Sequence, residues 1–338
     1  LSAPSPGQFL FFARCNFNIE IRKFPSLLCR STQSYSFFSL CLECDNILNM
    51  LKLILETMRP RQWTKNFVIL AGLVFDRQLG NFESFLRVLA AVLLFCLVSG
   101  LTYLVNDLLD LNADRAHPQK KTRPLASGRL PVKVAVSAAI ILALLVFPTA
   151  FLLSFAFGLI CVVYFLLMLA YSKWLKHMPI IDVMVIALGF VLRVSSGLFV
   201  ITVNYFSPWL FVLTTLLALF LGFGKRRAEL VALEAQAGAH RKALQGYSIP
   251  LLDQYIVIVL SATLITYCLY TFTAQMTLEH HAMMFTIPFV LYGLLRYLFL
   301  LQHNQFGAAP EEVLLRDRPI QAAILLWGLS VIIVLYLL

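Results

Sequence analysis

Nine long apolar stretches, separated by short polar loops, dominate this sequence from about residue 64 onward. They lie at roughly residues 64–80, 86–106, 131–153, 155–172, 180–201, 206–223, 250–273, 282–302 and 319–338. Each has about the 17–25 residues that an α-helix needs to cross the hydrocarbon core of a bilayer. Because that core holds no water to satisfy backbone amides and carbonyls, such stretches fold as helices. The sequence therefore predicts an all-α, polytopic membrane bundle of about nine transmembrane helices.

The composition supports a membrane protein and argues against an ordinary soluble one. Hydrophobic residues make up 60% of the 338 residues and charged residues only 13%, about half the share found in soluble domains. The formal net charge is +10. Basic residues beside membrane helices set orientation and can meet anionic lipid or phosphate. We expect no nucleic-acid partner, and the oligomeric state stays open.

The first 49 residues differ from the rest of the chain. They hold four of the seven cysteines and lack an apolar run of 18 residues, so they contain no predicted spanning helix. Cys41 and Cys44 have a C-x-x-C spacing, but no second pair of ligands completes a zinc site. Met50 begins a new segment. We therefore predict that residues 1–49 are a non-native or disordered extension and that residues 50–338 form one membrane domain.

Basic residues concentrate in alternate loops, which predicts the orientation of the helices. The even-numbered loops contain Arg115, Lys120, Lys121, Arg123, Arg129, Lys133, Lys173, Lys176, Lys225, Arg226, Arg227, Arg241, Lys242, Arg316 and Arg318. The odd-numbered loops contain only Arg77 and Arg87. By the positive-inside rule the even-numbered loops are cytoplasmic. We therefore expect the N-terminus to be cytoplasmic as well.

A dense group of oxygen-bearing side chains ends the second apolar stretch. On a helix with about 100° per residue, Asn106, Asp107, Asp110 and Asp114 fall at about 0°, 100°, 40° and 80°. Carboxylates gathered on one arc repel one another and cost free energy to desolvate unless a cation lies between them. Mg²⁺ prefers such oxygen ligands and commonly bridges a few carboxylates to a substrate's phosphates. We therefore predict that Asn106, Asp110 and Asp114 bind Mg²⁺, with help from Asp107.

Basic residues follow this acidic group directly. Lys121 and Arg123 can neutralise the charge that remains on a diphosphate bridged by the metal. The plainer alternative is a helix end with solvated charges, followed by an ordinary cytoplasmic loop. That alternative accounts for the basic residues but not for four oxygen-bearing side chains on one arc. The pattern therefore favours a magnesium–diphosphate site at the membrane margin.

The stretch NDLLDLNADR, residues 106–115, resembles the first signature of the UbiA superfamily of intramembrane prenyltransferases. That resemblance implies nine helices around a central cavity that opens to the cytoplasmic side, with Mg²⁺ and a diphosphate at its mouth. Five stretches are similar to the polyprenyl-phosphate phosphoribosyltransferases of that superfamily. They are RPRQWTKN (59–66), DRAHPQKKTRPLASG (114–128), YSKWLKHMPIID (171–182), GKRRAEL (224–230) and PEEVLLRDRPIQ (310–321).

The resemblance implies a reaction and its substrates. Phosphoribosyl pyrophosphate would donate a 5-phosphoribosyl group to a polyprenyl phosphate lipid and release pyrophosphate, with Mg²⁺ as cofactor, at a bacterial-type plasma membrane. One alternative keeps the scaffold and transfers a prenyl group from a prenyl diphosphate to an aromatic quinone or haem precursor. A second alternative is a transporter, although transporters tend to hold their ions near the bilayer midplane on broken helices.

Many members of the superfamily carry a second motif, D-x-x-x-D, and this sequence departs from it. The loop after the fourth stretch offers Lys176 and a single Asp182, and the loop after the sixth offers Lys225 and Arg226. More cations suit a donor with an additional phosphate, such as phosphoribosyl pyrophosphate. The residues that we expect to act in catalysis are Asp107, Asp110, Lys176 and Asp182.

Other candidate substrate-binding residues lie outside these motifs. Arg193 lies about 16 Å along the fifth helix from Asp182, where an arginine faces a cavity or a partner. It holds a phosphate or forms a structural ion pair within the bundle. Further candidates, each with a plainer structural alternative, are Lys65, Asn66, Tyr171 and Arg318.

Overall fold

The computed structural model describes residues 46–118, 120–203, 207–234, 246–273, 282–303, 313 and 316–337. The chain divides into two compact units, Leu1–Lys52 and Leu53–Leu338. The helices from Pro60 onward lie in the second unit. Cys41 and Cys44 lie outside the described residues. The predicted boundary after residue 49, and the prediction that the segment before it is an extension, stay predictions.

The described part of the chain is helical and contains no strand. A 3-10 helix, Pro60–Leu70, leads into the short helix α1, Ala71–Phe75. The further α-helices are α2 (Phe82–Leu109), α3 (Leu111–Ala116), α4 (Val132–Leu153), α5 (Phe155–Lys173), α6 (Ile181–Leu198), α7 (Pro208–Glu234), α8 (Ile249–Thr273), α9 (Ile287–Gln302) and α10 (Arg318–Tyr336). Single turns of 3-10 helix occur at Lys120–Thr122 and Leu175–His177, and a longer one, Ala282–Thr286, precedes α9.

Eight of the predicted stretches are confirmed as helices long and apolar enough to cross a membrane. The predicted stretch 64–80 is different, because its residues belong to the 3-10 helix and α1 and the helix ends at Phe75. The count of nine is therefore not confirmed in the described residues. Hydropathy reports apolar content and does not distinguish a 3-10 helix from an α-helix. At about 2.0 Å per 3-10 residue and 1.5 Å per α residue, the segment still has a contour length close to the ~30 Å of the hydrocarbon core.

Local chemistry explains where several helices begin. Asn81 accepts hydrogen bonds at its side chain from the backbone amides of Glu83 and Ser84, which caps α2. Asp317 caps α10 in the same way through Ile320 N–H. Ser154 is extended, with φ −163° and ψ 137°, and it separates α4 from α5. Pro208 begins α7, where its missing amide hydrogen costs nothing.

Two large apolar cores and a smaller one around Met283 hold the described part of the bundle together. The first joins the 3-10 helix and α1 with α2, α4 and α5 around Phe95 and Phe157. The second joins α6 through α10 around Phe220 and Leu252. Helix α6 links them, since it packs on the 3-10 helix on one side and on α7 on the other. The polar residues of interest lie at the ends of α2 and α5 and at the start of α6, beside these cores.

Candidate active site

The acidic group lies at a break between two helices. α2 ends at Leu109, Asp110 caps it with φ −90° and ψ 7°, and α3 begins at the next residue. The backbone amide of Asp110 donates to Asn106 O (2.9 Å) and that of Asp114 to Asp110 O (2.8 Å). The chain therefore keeps a helical course through the break. This course keeps the four oxygen-bearing residues close in space, although not on one continuous helix as the sequence predicted.

Two of the carboxylates are buried and share one arginine. Asp107 and Asp114 are only 3% and 2% exposed. Arg123 Nη1 donates to Asp114 Oδ2 at 2.6 Å and to Asp107 Oδ1 at 3.1 Å. Since both oxygens contact the same nitrogen, their separation is at most the sum of these two distances. The two side chains therefore converge, and a cation lies between them.

Arg59 is a second arginine at this group, and the sequence analysis did not single it out. Its Nη2 donates to Asp107 Oδ1 at 2.7 Å, and its guanidinium lies 4.7 Å from the centre of the Tyr103 ring. Its backbone is left-handed, with φ 54° and ψ 65°, directly before Pro60. Its position in the RPRQWTKN stretch indicated a possible role. The contact with Asp107 could not be predicted, because the two residues are 48 positions apart in the chain.

Asp110 forms a separate and longer ion pair with Lys176. Lys176 Nζ lies 3.9 Å from Asp110 Oδ2, and the Asp110 side chain is 39% exposed. Lys120 Nζ lies 3.7 Å from Asp114 Oδ1. Asp110 is thus the most accessible of the three carboxylates, and a lysine from the Leu175–His177 turn faces it.

Asn106 bears on whether this group can hold a metal. Its Oδ1 atom is buried and has no hydrogen-bond partner among the described residues, which is unusual for a polar atom. No set of three or more His, Cys, Asp or Glu side chains within the described ranges is arranged to hold a metal by itself. Mg²⁺ needs no such cage, because it binds through one or two carboxylates, waters and substrate phosphates. The oxygen donors present fit that mode of binding.

The second polar cluster is centred on Arg226. Its Nε donates to Asp182 Oδ2 (2.6 Å), its Nη1 to Glu229 Oε2 (2.7 Å) and its Nη2 to the Tyr171 hydroxyl (3.1 Å). Tyr247 donates from its hydroxyl to Asp182 Oδ1 at 2.7 Å. Asp182 is 1% exposed and both of its oxygens are engaged, so it holds other groups in place rather than facing solvent.

The sequence matches the UbiA prenyltransferase family over residues 67–314. The chain belongs to the UbiA prenyltransferase family. Decaprenyl-phosphate phosphoribosyltransferase of Corynebacterium glutamicum is 32% identical over 295 residues, which cover 84% of this chain and 87% of that protein. The enzyme of the same name from Mycobacterium tuberculosis is 32% identical over 283 residues, or 82% of this chain and 93% of that one.

Solved structures share the fold of this UbiA-family chain. A UbiA homolog from Archaeoglobus fulgidus bound to GPP and Mg²⁺ superimposes with a TM-score of 0.62 at 19% identity, over 83% of this chain and 99% of that chain. At this identity the likeness concerns the fold. Together with the sequence relatives, it makes this protein a multi-pass membrane transferase.

Within the UbiA-family bundle, Arg193 is fully engaged with neutral groups. Its Nε donates to Asn66 Oδ1 (2.9 Å), its Nη1 to Gly189 O (3.1 Å) and its Nη2 to the Tyr164 hydroxyl (2.6 Å). The guanidinium also lies 4.8 Å from the centre of the Tyr164 ring. Asn66 in turn donates to Cys96 Sγ and Ser99 Oγ. These contacts favour a structural role within the bundle. Because the described partners include no carboxylate, this role rests on hydrogen bonds to neutral groups and not on the ion pair that was the alternative.

The remaining candidate residues of the family site lie at the surface. Lys121 and Arg318 are exposed, and Lys65 and Lys225 are partly exposed. Arg318 is the first residue of α10 and follows Asp317, which pairs with Arg296 Nη2 at 2.9 Å. The structure thus joins Asp107, Asp114 and Arg123 through ion pairs and, separately, Asp110 with Lys176. It does not bring Lys121, Lys225 or Arg318 into a contact with them.

Proposed function

We propose that this enzyme transfers a 5-phosphoribosyl group from phosphoribosyl pyrophosphate to the phosphate of a polyprenyl lipid, with Mg²⁺ and release of pyrophosphate. The observation that carries the proposal is the 3.9 Å contact between Lys176 Nζ and Asp110 Oδ2. It brings a lysine against the exposed carboxylate of an acidic group that is suited to a metal–diphosphate. The names of the relatives from C. glutamicum and M. tuberculosis support phosphoribosyl transfer to a polyprenyl phosphate.

The acidic group supports binding of a metal–pyrophosphate leaving group. Asn106 Oδ1, Asp110 and Asp114 would hold Mg²⁺, with Asp107 beside them. Bound there, the metal would neutralise charge that develops on the departing pyrophosphate. The A. fulgidus homolog with the same fold is bound to Mg²⁺, which supports a divalent metal in this family.

The basic residues around the acidic group support phosphate binding on either side of the bond that breaks. Arg59 and Arg123 hold Asp107, and Lys120 approaches Asp114. Since each has additional N–H donors, they can bind phosphate oxygens while they keep the carboxylates in place. Lys176 lies beside Asp110 and would stabilise the charge of a pyrophosphate held there. Fixed cations of this kind lower the barrier by stabilising charge where it accumulates.

The chemistry needs no general base. The bond between ribose C1 and the pyrophosphate oxygen breaks, and the electron pair leaves with pyrophosphate. A phosphate oxygen of the lipid supplies the pair that forms the new bond to C1. Because that oxygen is already anionic, no proton has to be removed from the nucleophile. This agrees with a site in which the buried carboxylates Asp107, Asp114 and Asp182 are all paired with arginines.

An apolar cavity supports an isoprenoid substrate. It has a volume of about 660 Å³ and lies among α1, α7, α8, α9 and α10. Its lining is dominated by apolar and aromatic side chains, which include Phe75, Leu217, Tyr267 and Trp327. A polyprenyl tail gains free energy from such surroundings in the way that a lipid chain does. A lipid acceptor also explains why a sugar transferase lies in a membrane.

The decisive assay offers two donors to the purified full-length protein. One reaction contains labelled phosphoribosyl pyrophosphate, Mg²⁺ and polyprenyl phosphates, and the other contains a prenyl diphosphate with aromatic acceptors. We expect labelled lipid and released pyrophosphate in the first reaction and no product in the second. Chelation of divalent ions should stop turnover. Product from the prenyl diphosphate alone would reverse the assignment in favour of aromatic prenyl transfer.

A further inference from the structure

The Tyr247 hydroxyl bridges two groups at the start of α6. It accepts a hydrogen bond from Ile180 N–H at 2.5 Å and donates one to Asp182 Oδ1 at 2.7 Å. The Tyr247 side chain is 8% exposed, so water does not replace these bonds easily. Tyr247 lies 65 positions after Asp182 in the chain and just before α8, which begins at Ile249. One side chain thus ties the α7–α8 connection to the turn that enters α6.

That turn has a strained backbone. Ile180 has φ 70° and ψ −50°, and Ile181 N–H donates to Pro179 O at 2.8 Å. These values describe a γ-turn of the rarer, strained form. A β-branched residue with positive φ is an outlier that persists only where the surroundings hold it. The Tyr247 hydroxyl holds it directly, because it binds the amide of the strained residue.

Gly246, the residue before Tyr247, packs closely against the same turn. A Cβ atom added to Gly246 would lie 2.3 Å from Pro179 Cγ, so only glycine allows the backbone to approach Pro179 this closely. Both Gly246 and Tyr247 therefore contact the γ-turn, one through the absence of a side chain and the other through its hydroxyl.

Two cations are attached to the segments on either side of the turn. Lys176 lies in the Leu175–His177 turn directly before it and faces Asp110. Asp182 lies directly after it and receives Arg226 Nε at Oδ2 while Tyr247 occupies Oδ1. Because Tyr247 binds one carboxylate oxygen, it determines which oxygen and which direction are left for Arg226. A shift of the turn would therefore move Lys176 and the Arg226 guanidinium together.

We propose that Tyr247 is a positioning residue that keeps Lys176 and Arg226 in register for phosphate binding; this rests on the proposed function. It touches neither substrate nor metal and acts through the Ile180 amide and the Asp182 carboxylate. The pKa of the Tyr247 phenol lies above its ordinary value, because burial and the hydrogen bond to Asp182 disfavour the phenolate. The hydroxyl therefore stays protonated and available as a donor at physiological pH.

The test compares full-length wild type in lipid nanodiscs with Tyr247→Phe, which keeps the ring and removes both hydrogen bonds. Gly246→Ala is a second variant, since its Cβ would push Tyr247 away from the turn without changing its chemistry. Tyr255→Phe is the matched control, because Tyr255 packs on Phe223 and its hydroxyl makes no hydrogen bond within the described part of the chain. The three measurements are amide exchange in peptides that cover residues 178–184, the affinity for pyrophosphate with Mg²⁺, and kcat and KM for phosphoribosyl pyrophosphate.

We expect Tyr247→Phe and Gly246→Ala to speed amide exchange across the turn. We also expect them to raise the KM for the donor and weaken pyrophosphate binding on the order of tenfold, with kcat within about threefold. Tyr255→Phe should change none of these. Unchanged exchange at the turn, or faster exchange with unchanged KM and unchanged pyrophosphate affinity, would overturn the proposal. If wild type does not turn over phosphoribosyl pyrophosphate, the proposed function fails, and the exchange and pyrophosphate results alone decide the role of Tyr247.

Discussion

Arg123 donates a hydrogen bond from Nη1 to Asp114 Oδ2 at 2.6 Å, and Asp114 is almost fully buried. The same nitrogen reaches Asp107 Oδ1, so one guanidinium separates two carboxylates that would otherwise repel each other. In a site that binds Mg²⁺, this guanidinium and the metal compete for the same oxygens. On the proposed function, Arg123 would therefore have two opposite effects, one on metal binding and one on substrate binding.

Replacing Arg123 should therefore separate these effects. In Arg123→Ala we expect Mg²⁺ to bind several-fold more tightly in the absence of substrate, because the carboxylates lose their internal cation. We expect the KM for the phosphoribosyl donor to rise about tenfold or more, because a phosphate ligand is lost. Calorimetric titration with Mg²⁺ and steady-state kinetics measure the two. Arg129→Ala is the control, since Arg129 lies in the same loop and pairs with the exposed Glu56; weaker Mg²⁺ binding in Arg123→Ala would contradict the competition.

Asp110→Asn should remove activity without removing stability. Asp110 is 39% exposed and its contact with Lys176 is long, so we expect only a small change in Tm. A loss of kcat of about 100-fold or more is expected if this carboxylate carries the metal.

Asp253→Asn is a control matched in exposure. Asp253 is 38% exposed and pairs with Arg227 Nε at 2.6 Å, outside the proposed site. We expect it to retain activity. An active Asp110→Asn enzyme would remove Asp110 from the set of metal ligands.

Arg193→Lys tests whether the buried guanidinium is structural. Lysine cannot reproduce three hydrogen bonds to Asn66, Gly189 O and Tyr164. We expect the free energy of unfolding to fall by about 2–4 kcal/mol, seen as a lower Tm in detergent. The KM of the folded fraction for the donor should stay within about threefold of the wild-type value. An unchanged Tm with a strongly raised KM would instead support the phosphate-binding role that the sequence suggested.

Gly197→Ala should disturb the 3-10 helix that carries Lys65 and Asn66. A Cβ atom at this position would lie 2.1 Å from Ile69 O, and a backbone carbonyl cannot move aside cheaply. We expect a loss of about 1–3 kcal/mol, measured by thermal or denaturant unfolding. Gly328→Ala in α10 is the control, because its Cβ would meet nothing within 4 Å and alanine favours the helix by about 0.5–1 kcal/mol. Equal effects of the two substitutions would argue against the close approach of α6.

Asp317 gives a prediction for acidic pH. Burial works to raise the pKa of Asp317, but hydrogen bonds from Arg296 and from Ile320 N–H outweigh it, so the pKa lies below its ordinary value. A carboxyl group with a lowered pKa contributes stability that is present above its unfolded pKa and is lost as the pH falls through the folded pKa.

We therefore expect the Tm difference between wild type and Asp317→Asn to stay constant from about pH 7 to 5 and to shrink below about pH 4. Thermal unfolding across this pH range measures it. A difference that persists undiminished at the most acidic pH would show that the carboxylate charge is not its source.

Much of the fold was predictable because hydropathy is a local property. The stretch predicted at residues 131–153 is the helix Val132–Leu153, and the stretch at 155–172 is Phe155–Lys173. The first stretch was harder, because its apolar content does not reveal that Pro60–Leu70 winds as a 3-10 helix. The approach of Gly197 to Ile69 O belongs to the packing of two segments, and no pattern within either segment contains it.

The candidate site was predictable where it depends on residues within one helical segment. The spacing of Asn106, Asp107, Asp110 and Asp114 indicated that their oxygens lie near one another, since it follows from the helix period alone. The role of Arg193 was left between two alternatives, because its partners Asn66 and Tyr164 lie 127 and 29 positions away. Arg59 and Tyr247 were missed for the same reason.

The sequence by itself determined the eight long apolar helices and the closeness of Asp107, Asp110 and Asp114, because both depend on neighbours within a few turns. Only the tertiary structure decided that Arg59 and Arg123 meet at Asp107 and that Tyr247 closes on Asp182. Those pairings depend on the paths of loops and on helix packing, which bring distant residues within hydrogen-bonding distance. A charged side chain in a low-dielectric bundle has to find a partner, but only the packing of the helices selects which one.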